Sequence, residues 1–229
     1  QKAIEDLNKI LENSKIPVPE IIETKEKNNI PVNIQYNSSK EKDLYSYFYD
    51  YFITYETLQQ YKVLVGILVL VKQKIIETFR HTEKEPCFLY LTSEGIKMYR
   101  PNSVKKWRTT SSFIQGIEQL DKRRSYDFII ITKSLKDVMV LHELGFPAIS
   151  CGSETTKVNI DYLNRIFKCR EFIILYDNDK AGIKAAQEFT EQRHIFIPAE
   201  TGKKDISDYI KEFGIDNSKI LINNLLCAH

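Results

Sequence analysis

Cysteine is scarce in this chain and badly placed to bind metal. The four residues, Cys87, Cys151, Cys169 and Cys227, form no Cys-x-x-Cys pair. That spacing argues against a zinc site and against a disulfide scaffold, and the expectation is a reduced, intracellular chain in the cytoplasm or an organelle. Long apolar runs are missing as well. The best, Val63 to Val71, falls short of the roughly 18 residues that suggest a membrane span. No membrane partner is expected, and no signal-peptide pattern is visible. The chain opens on Gln1 rather than Met, as an excised piece of a longer protein would. An excess of one charge is also absent, since 33 basic and 31 acidic residues leave a net charge of +2. Such a balance calls for no nucleic acid by itself, so the distribution of charge has to decide.

What is present changes character along the chain. With 229 residues there is room for one large domain or two small ones. Ile4, Leu7, Ile10 and Leu11 recur at helical spacing, which predicts a helix over residues 1 to about 15. Pro17, Pro19 and Pro31 then punctuate a charged stretch to about Lys42, read as a linker or a strap on another surface. From Asp43 the chain turns aromatic, with Tyr45, Tyr47, Phe48, Tyr49, Tyr51 and Phe52 close together. A helix is expected there, then a turn at Ile53-Thr54 and a second short helix capped by Thr54. An aromatic run can stack bases, but at this density on a helix packing is the favoured reading. Residues 60 to 110 are rich in Val, Ile and Leu and include a hairpin signal at Thr92-Ser93-Glu94-Gly95, which predicts a small antiparallel sheet.

The far end of that sheet carries Lys97, Arg100, Lys105, Lys106 and Arg108 with no acidic residue among them. Tyr99 and Trp107 are interleaved. In a nearly neutral chain this is a local positive field suited to phosphate, and Trp107 could stack a base. Equally, the cations could be a solvated hairpin surface and Trp107 a cover for the core.

After about residue 124 strands alternate with helices. Tyr126 to Thr132 reads as a strand, Ser134 to Leu144 as an amphipathic helix ended by Gly145, and Pro147 to Ser150 as a short strand. Asn159 to Phe167 reads as a helix, Phe172 to Tyr176 as a strand, and the following segment as a helix to about Arg193. His194 to Ile197 is a further strand, with helices over Asp205 to Phe213 and Asn217 to Leu226. This is the grammar of parallel βαβ units. The Phe172 strand runs directly into Asp177-Asn178-Asp179, and ligands of open α/β sheets bind at such carboxyl ends. Paired hard oxygens there suit Mg²⁺ or Mn²⁺. The plainer alternative is an Asx turn at Asp177-Asn178 and a helix cap at Asp179.

Four pieces in order resemble the Toprim module of bacterial-type primases, phage primase-helicases, topoisomerases and some nucleases. They are Lys133-Ser134-Leu135-Lys136-Asp137 after a strand, Ile149-Ser150-Cys151-Gly152-Ser153, Leu175 to Gly182, and Lys203-Lys204-Asp205-Ile206-Ser207-Asp208. Upstream, Tyr61-Lys62-Val63, Pro86 to Tyr90, Ile96 to Pro101 and Lys105-Lys106-Trp107 resemble the basic amino-terminal half of a phage-type primase catalytic core. The resemblance covers roughly residues 45 to 215. It implies an α/β Toprim domain, a parallel sheet flanked by helices, over residues 125–229. Before it would come a smaller, largely antiparallel α+β basic subdomain over 43–124, with 1–42 as linker and helix.

It also implies a function: metal-dependent synthesis of short RNA primers on a single-stranded DNA template from nucleoside triphosphates, beside a replicative helicase. Asp177, Asp179, Asp205 and Asp208 would hold Mg²⁺ or Mn²⁺, with no zinc in this piece. Lys97, Arg100, Lys105, Lys106, Trp107 and Arg108 would follow nucleic acid, and Lys136 a nucleotide phosphate. Asp137 would cap its helix or pair with a lysine. One departure stands out. Toprim enzymes usually carry an acidic residue and then Gly after the first strand, where this chain has Lys133 and Ser134. An ammonium cannot ligate metal while charged. Glu154 could supply the catalytic carboxylate from the next loop, or Lys133 could clamp phosphate at a helix start. The alternatives to a primase are a noncatalytic, primase-derived module that binds single-stranded DNA or a helicase, and a Toprim nuclease.

Overall fold

The computed structural model describes residues 22–25, 31–36, 45–72, 75–93, 95–109, 113–151 and 158–228. They form two compact units interleaved along the sequence. One holds the described residues of 1–44, 63–91 and 96–111, the other those of 45–62, 92–95 and 112–229.

The first unit is built on an antiparallel sheet. Its strands are β1 (Ile22–Lys25), β2 (Pro31–Tyr36), β3 (Val63–Lys72), β4 (Ile75–Arg80), β5 (Phe88–Thr92), β6 (Gly95–Tyr99) and β7 (Trp107–Thr109). Their order is β1-β2-β3-β5-β6-β7, with β4 also paired to β3. Strand β3 is long enough to be shared. Val63–Val65 face Tyr90–Phe88 of β5, while residues 66–70 pair with β2 and residues 67–72 with β4. The stretch read as a linker or strap therefore pairs along part of its length, because β3 offers a ladder edge and needs no apolar payload from its partner. Pro31 sits at the start of β2, where a missing N–H is tolerated. The helix expected over residues 1 to 15 lies outside the described residues. Alternation along β5 and β6 separates two faces. Cys87, Leu89, Ile96 and Met98 pack on one side, with Leu64, Phe79 and Leu91 against them. Phe88, Tyr90, Tyr99 and Trp107 form an aromatic layer.

The second unit is α/β. Its elements are α1 (Ser46–Tyr49), α2 (Tyr55–Gln60), β8 (Ile114–Gln115), β9 (Ser125–Thr132), α3 (Leu135–Glu143), β10 (Ala148–Cys151), α4 (Ile160–Ile166), β11 (Lys168–Leu175), α5 (Lys180–Ala186), β12 (Arg193–Ile195) and α6 (Ile206–Cys227). Strand order is β12-β11-β9-β10-β8, parallel except for β8. Ile129, Ile130 and Ile131 of β9, and Ile173 and Ile174 of β11, are wholly buried. Central parallel strands covered on both faces need such runs, and each buried side chain contributes about 1.5–3 kcal/mol.

Residues 45–62, set by the sequence reading within the part from 43 to 124, group with the α/β unit. Thr54 caps α2 through its Oγ1 and also donates from its N and Oγ1 to Glu143 Oε1, at 2.7 and 2.8 Å. Tyr61 packs edge-on to His142. Half of the aromatic run is core, since Tyr45, Phe48 and Tyr51 are buried. The helix there is only one turn, shorter than expected. Helix α5 also stops early, at Ala186 rather than near Arg193. Glu188 and Phe189 donate three residues back, to Ala185 and Ala186, and so unwind it. The two expected C-terminal helices join into α6, with a break where Gly214 takes φ 77° and ψ 177°. Among the described residues no helix is long and apolar enough to cross a membrane.

Candidate active site

The strand order sets the site. From β9 the chain moves outward to β10 on one side, and from β11 outward to β12 on the other. The carboxyl ends of β9 and β11 thus flank the topological switch point, where open α/β sheets bind ligands. Ile131 pairs with Ile174. The next residues to leave the sheet are Lys133 on one strand and Tyr176 and Asp177 on the other. The Lys133 ammonium lies 5.5 Å from the Tyr176 ring centre.

Helices α3, α5 and α6 begin at this edge, and each is capped by its own side chain. Ser134 Oγ accepts from Asp137 N at 3.2 Å, Asp179 Oδ1 from Gly182 N at 2.8 Å, and Asp205 Oδ1 from Asp208 N at 2.7 Å. The cap reading of Asp179 therefore holds, and its exposed carboxylate is pulled below the usual range, chiefly by the Gly182 N–H. Gly182 has a second reason to lack a side chain. A Cβ there would fall inside the contact shell of the Asp177 carbonyl and within 2.9 Å of the Asp177 Cβ. Asn178 makes no Asx turn. Its side-chain amide donates to Ile197 O at 2.7 Å and Lys203 O at 2.9 Å, and its backbone N to Lys204 O at 2.9 Å. This residue pins the loop that carries Lys204 and Asp205 beside Asp177.

The carboxylates crowd one another. Burial raises the Asp177 carboxyl and the Asp205 charge raises it further, while Lys204 and Lys133 oppose both. Lys204 Nζ lies 3.8 Å from Asp177 Oδ2. Asp205 is pushed up to about 7, first by burial and then by Asp137. Asp137 is 5 % exposed. It accepts from Ser134 Oγ at 2.7 Å and from Ser207 Oγ, 70 residues away, so it ties the starts of α3 and α6 together. Burial raises its carboxyl too. Asp208 is half-buried on the first turn of α6. Lys136 lies with its ammonium 3.8 Å from the Tyr51 ring centre. Glu154 lies outside the described residues. No three His, Cys, Asp or Glu side chains gather closely enough among the described residues to hold a metal ion as they stand. Sequence reasoning missed Asn178, Ser207 and Lys204 as parts of the site, because their partners are distant in sequence.

The basic set belongs to the antiparallel unit. Lys97 is buried, 6 % exposed, with its Nζ 4.3 Å from the Trp107 ring centre. Trp107 stacks on Tyr99 at 4.1 Å and 17°. The indole is already packed against these two neighbours, as the core reading expected. Arg100 and Arg108 both lie over Phe79, at 5.3 and 5.1 Å, and Arg100 Nη2 donates to Glu85 Oε2 at 3.1 Å. Lys105 and Lys106 are exposed.

A family model described as Toprim-like matches residues 130–210. This segment is similar to Toprim-like domains. It runs from inside β9 into α6 and contains Asp137, Asp177, Asp179, Asp205 and Asp208. No curated protein matches the sequence. Among solved structures, the chain is similar to the Aquifex aeolicus primase fragment with zinc-binding and RNA polymerase domains. The identity is 17 % and the TM-score 0.62, over 82 % of this chain and 58 % of that one. It is also similar to the DnaG primase catalytic domain bound to single-stranded DNA, at 14 % identity and TM-score 0.61 over 82 % and 74 %. The primase fragment of the bacteriophage T7 primase-helicase matches at 17 % and 0.50, over 76 % and 71 %. At these identities the likeness is one of fold, and the Toprim-like domain with its antiparallel companion has the fold of primase catalytic cores. The chain spans 58 % of the length of the Aquifex fragment.

Proposed function

We propose that this chain is the catalytic core of a DNA primase, joining ribonucleotides into short primers on single-stranded DNA. The observation that carries the reading is the acidic edge at the switch point of a Toprim-like sheet. There the charge of Asp205 raises the Asp177 carboxyl, and that of Asp137 raises the Asp205 carboxyl. An all-oxygen set of this kind fits a hard cation such as Mg²⁺ or Mn²⁺ and would be relieved by one. Asp177 and Asp205 would hold it, with Asp179 and Asp208 at its margin and Glu154 as the further catalytic carboxylate. When bound, the ion neutralises charge on the phosphoryl group being transferred.

The chain's own groups do the rest. Asp137, through Ser207, fixes the start of α6 and with it Asp205. Asn178 fixes the approach of Lys204 to Asp177. Lys133 and Lys136 supply cations beside the carboxylates and hold nucleotide phosphate. Lys105, Lys106 and Arg108, with Lys97, Arg100 and Trp107 behind them, bind the template. Functionally the chain divides into the lead-in to 42, the basic part to 124 and the Toprim part beyond it. The enzyme works inside the cell beside a replicative helicase.

The test is ribonucleotide incorporation on single-stranded DNA by the purified chain with Mg²⁺ or Mn²⁺. Short oligoribonucleotides are expected. Tight DNA binding without product, in both ions, overturns the catalytic reading in favour of a binding module, the outcome that Lys133 and Lys204 beside Asp177 would then explain.

A further inference from the structure

Two non-glycine residues among those described take a positive φ, Phe52 and Lys62, and the mechanism above uses neither. Phe52 takes φ 57° in the turn between α1 and α2. That left-handed conformation is unfavourable for a bulky side chain, and Gly or Asn would adopt it more easily. Burial does not fully offset the cost, because the ring is 41 % exposed. Tyr49, three residues back and bonded to it through Phe52 N→Tyr49 O at 2.9 Å, is 38 % exposed.

The turn is held from beneath. Tyr51 is buried, with its hydroxyl 3.3 Å from that of Tyr47. Two ammoniums face its ring, Lys136 at 3.8 Å and Lys211 at 5.2 Å, and Lys211 also pairs with Asp50 at 2.8 Å. Ile53 is buried behind it. The strained conformation is thus imposed by its surroundings, which is how strain persists where it serves a ligand. The same Lys136 that faces Tyr51 feels the charges of Asp137 and Asp205. The turn therefore adjoins the acidic edge through a single side chain.

We propose that Phe52, with Tyr49 beside it, is a stacking contact for a base of single-stranded nucleic acid on the α/β unit. Two exposed rings, in a turn whose buried neighbour Tyr51 is faced by two ammoniums, match the composition of surfaces that hold single strands, where rings take bases and cations the backbone. The assignment rests on the primase reading and adds to it a strand contact separate from the basic sheet.

The test compares Phe52→Gly and Phe52→Trp with the parent, using a fluorescent single-stranded oligothymidylate and thermal melting. Phe52→Gly removes the ring and the strain together. It should melt at or a few degrees above the parent, bind the oligonucleotide roughly tenfold more weakly, and keep the parent's salt dependence, because no cation is lost. Phe52→Trp keeps a ring and should bind within about twofold of the parent. Parent-like affinity in Phe52→Gly overturns the proposal and assigns the ring to a protein contact. A Phe52→Trp variant as weak as Phe52→Gly overturns it, as does a lower melting temperature for Phe52→Gly, which would make the ring a core residue. Binding is read apart from synthesis. A parent that binds the strand without making product overturns the primase reading and leaves this assignment standing.

Discussion

The acidic groups of the α/β edge and the basic groups of the antiparallel unit are held by different means. At the carboxyl edge of the parallel sheet three acidic groups are fixed by directional hydrogen bonds: backbone N–H groups on Asp179 and Asp205, hydroxyls on Asp137. In the antiparallel unit the cations lie on aromatic faces, Lys97 on Trp107, and Arg100 and Arg108 on Phe79. Hydrogen bonds fix an oxygen to within tenths of an ångström, as bond-making chemistry requires. A cation over a ring is held loosely in its plane, which suits a polymer that must move along it. The acidic edge should thus be intolerant of small displacements and the basic surface forgiving of single losses.

The sharpest way to break that contrast is Gly182→Ala. One methyl group at the Asp177 carbonyl forces the strand turn or α5 to move, at a cost of about 1–3 kcal/mol. Synthesis should fall below detection while urea denaturation still shows a cooperative fold. Asn178→Ala comes next. It leaves the carbonyls of Ile197 and Lys203 without their amide donor. A loss of about 2 kcal/mol in urea is expected, with synthesis reduced more than template affinity.

The acidic edge should also show in pH. Folded Asp205 keeps its proton up to about 7, whereas the unfolded chain releases it near pH 4. Unfolding free energy therefore falls as pH rises from about 4 to about 7. Synthesis, which needs the ionised carboxylate, rises over the upper part of that range. Asp137→Asn removes the repelling charge, so both pH profiles should flatten. On the basic side, replacing Lys105 and Lys106 together by Ala should weaken template binding modestly and lower the salt slope by about 1.4, with melting unchanged. The smallest effect is expected from Lys133→Glu, which should not abolish DNA binding. If it does, the lysine is a principal phosphate contact.

Much of the α/β unit was legible because its strands are unbroken apolar runs and its helices carry local caps. Ser134, Asn159 and Thr54 each sit one residue before the helix that they cap. Asp179 was legible as a cap, since that reading needs only its neighbours. What escaped depends on distant partners. Asp137 could be seen to face its own helix, but not Ser207. Asn178 sat inside the motif, yet its work is done on residues 197 and 203. The aromatic run at 45–52 announced a core without saying whose, and only the contacts of Thr54 with Glu143 and Tyr61 with His142 place it with the later unit. Trp107 read equally as a stacking platform and as a cover for the core, and the pairing of Tyr99 with it depends on the β6–β7 register.

The central claim is that the edge formed by Asp177 and its neighbours does chemistry. It is tested most directly by ribonucleotide incorporation on single-stranded DNA, comparing the parent with the Asp177→Asn, Asp179→Asn double variant at equal melting temperature. The claim predicts product from the parent and none from the variant, with oligonucleotide binding retained by both. Equal synthesis by the two proteins would contradict it.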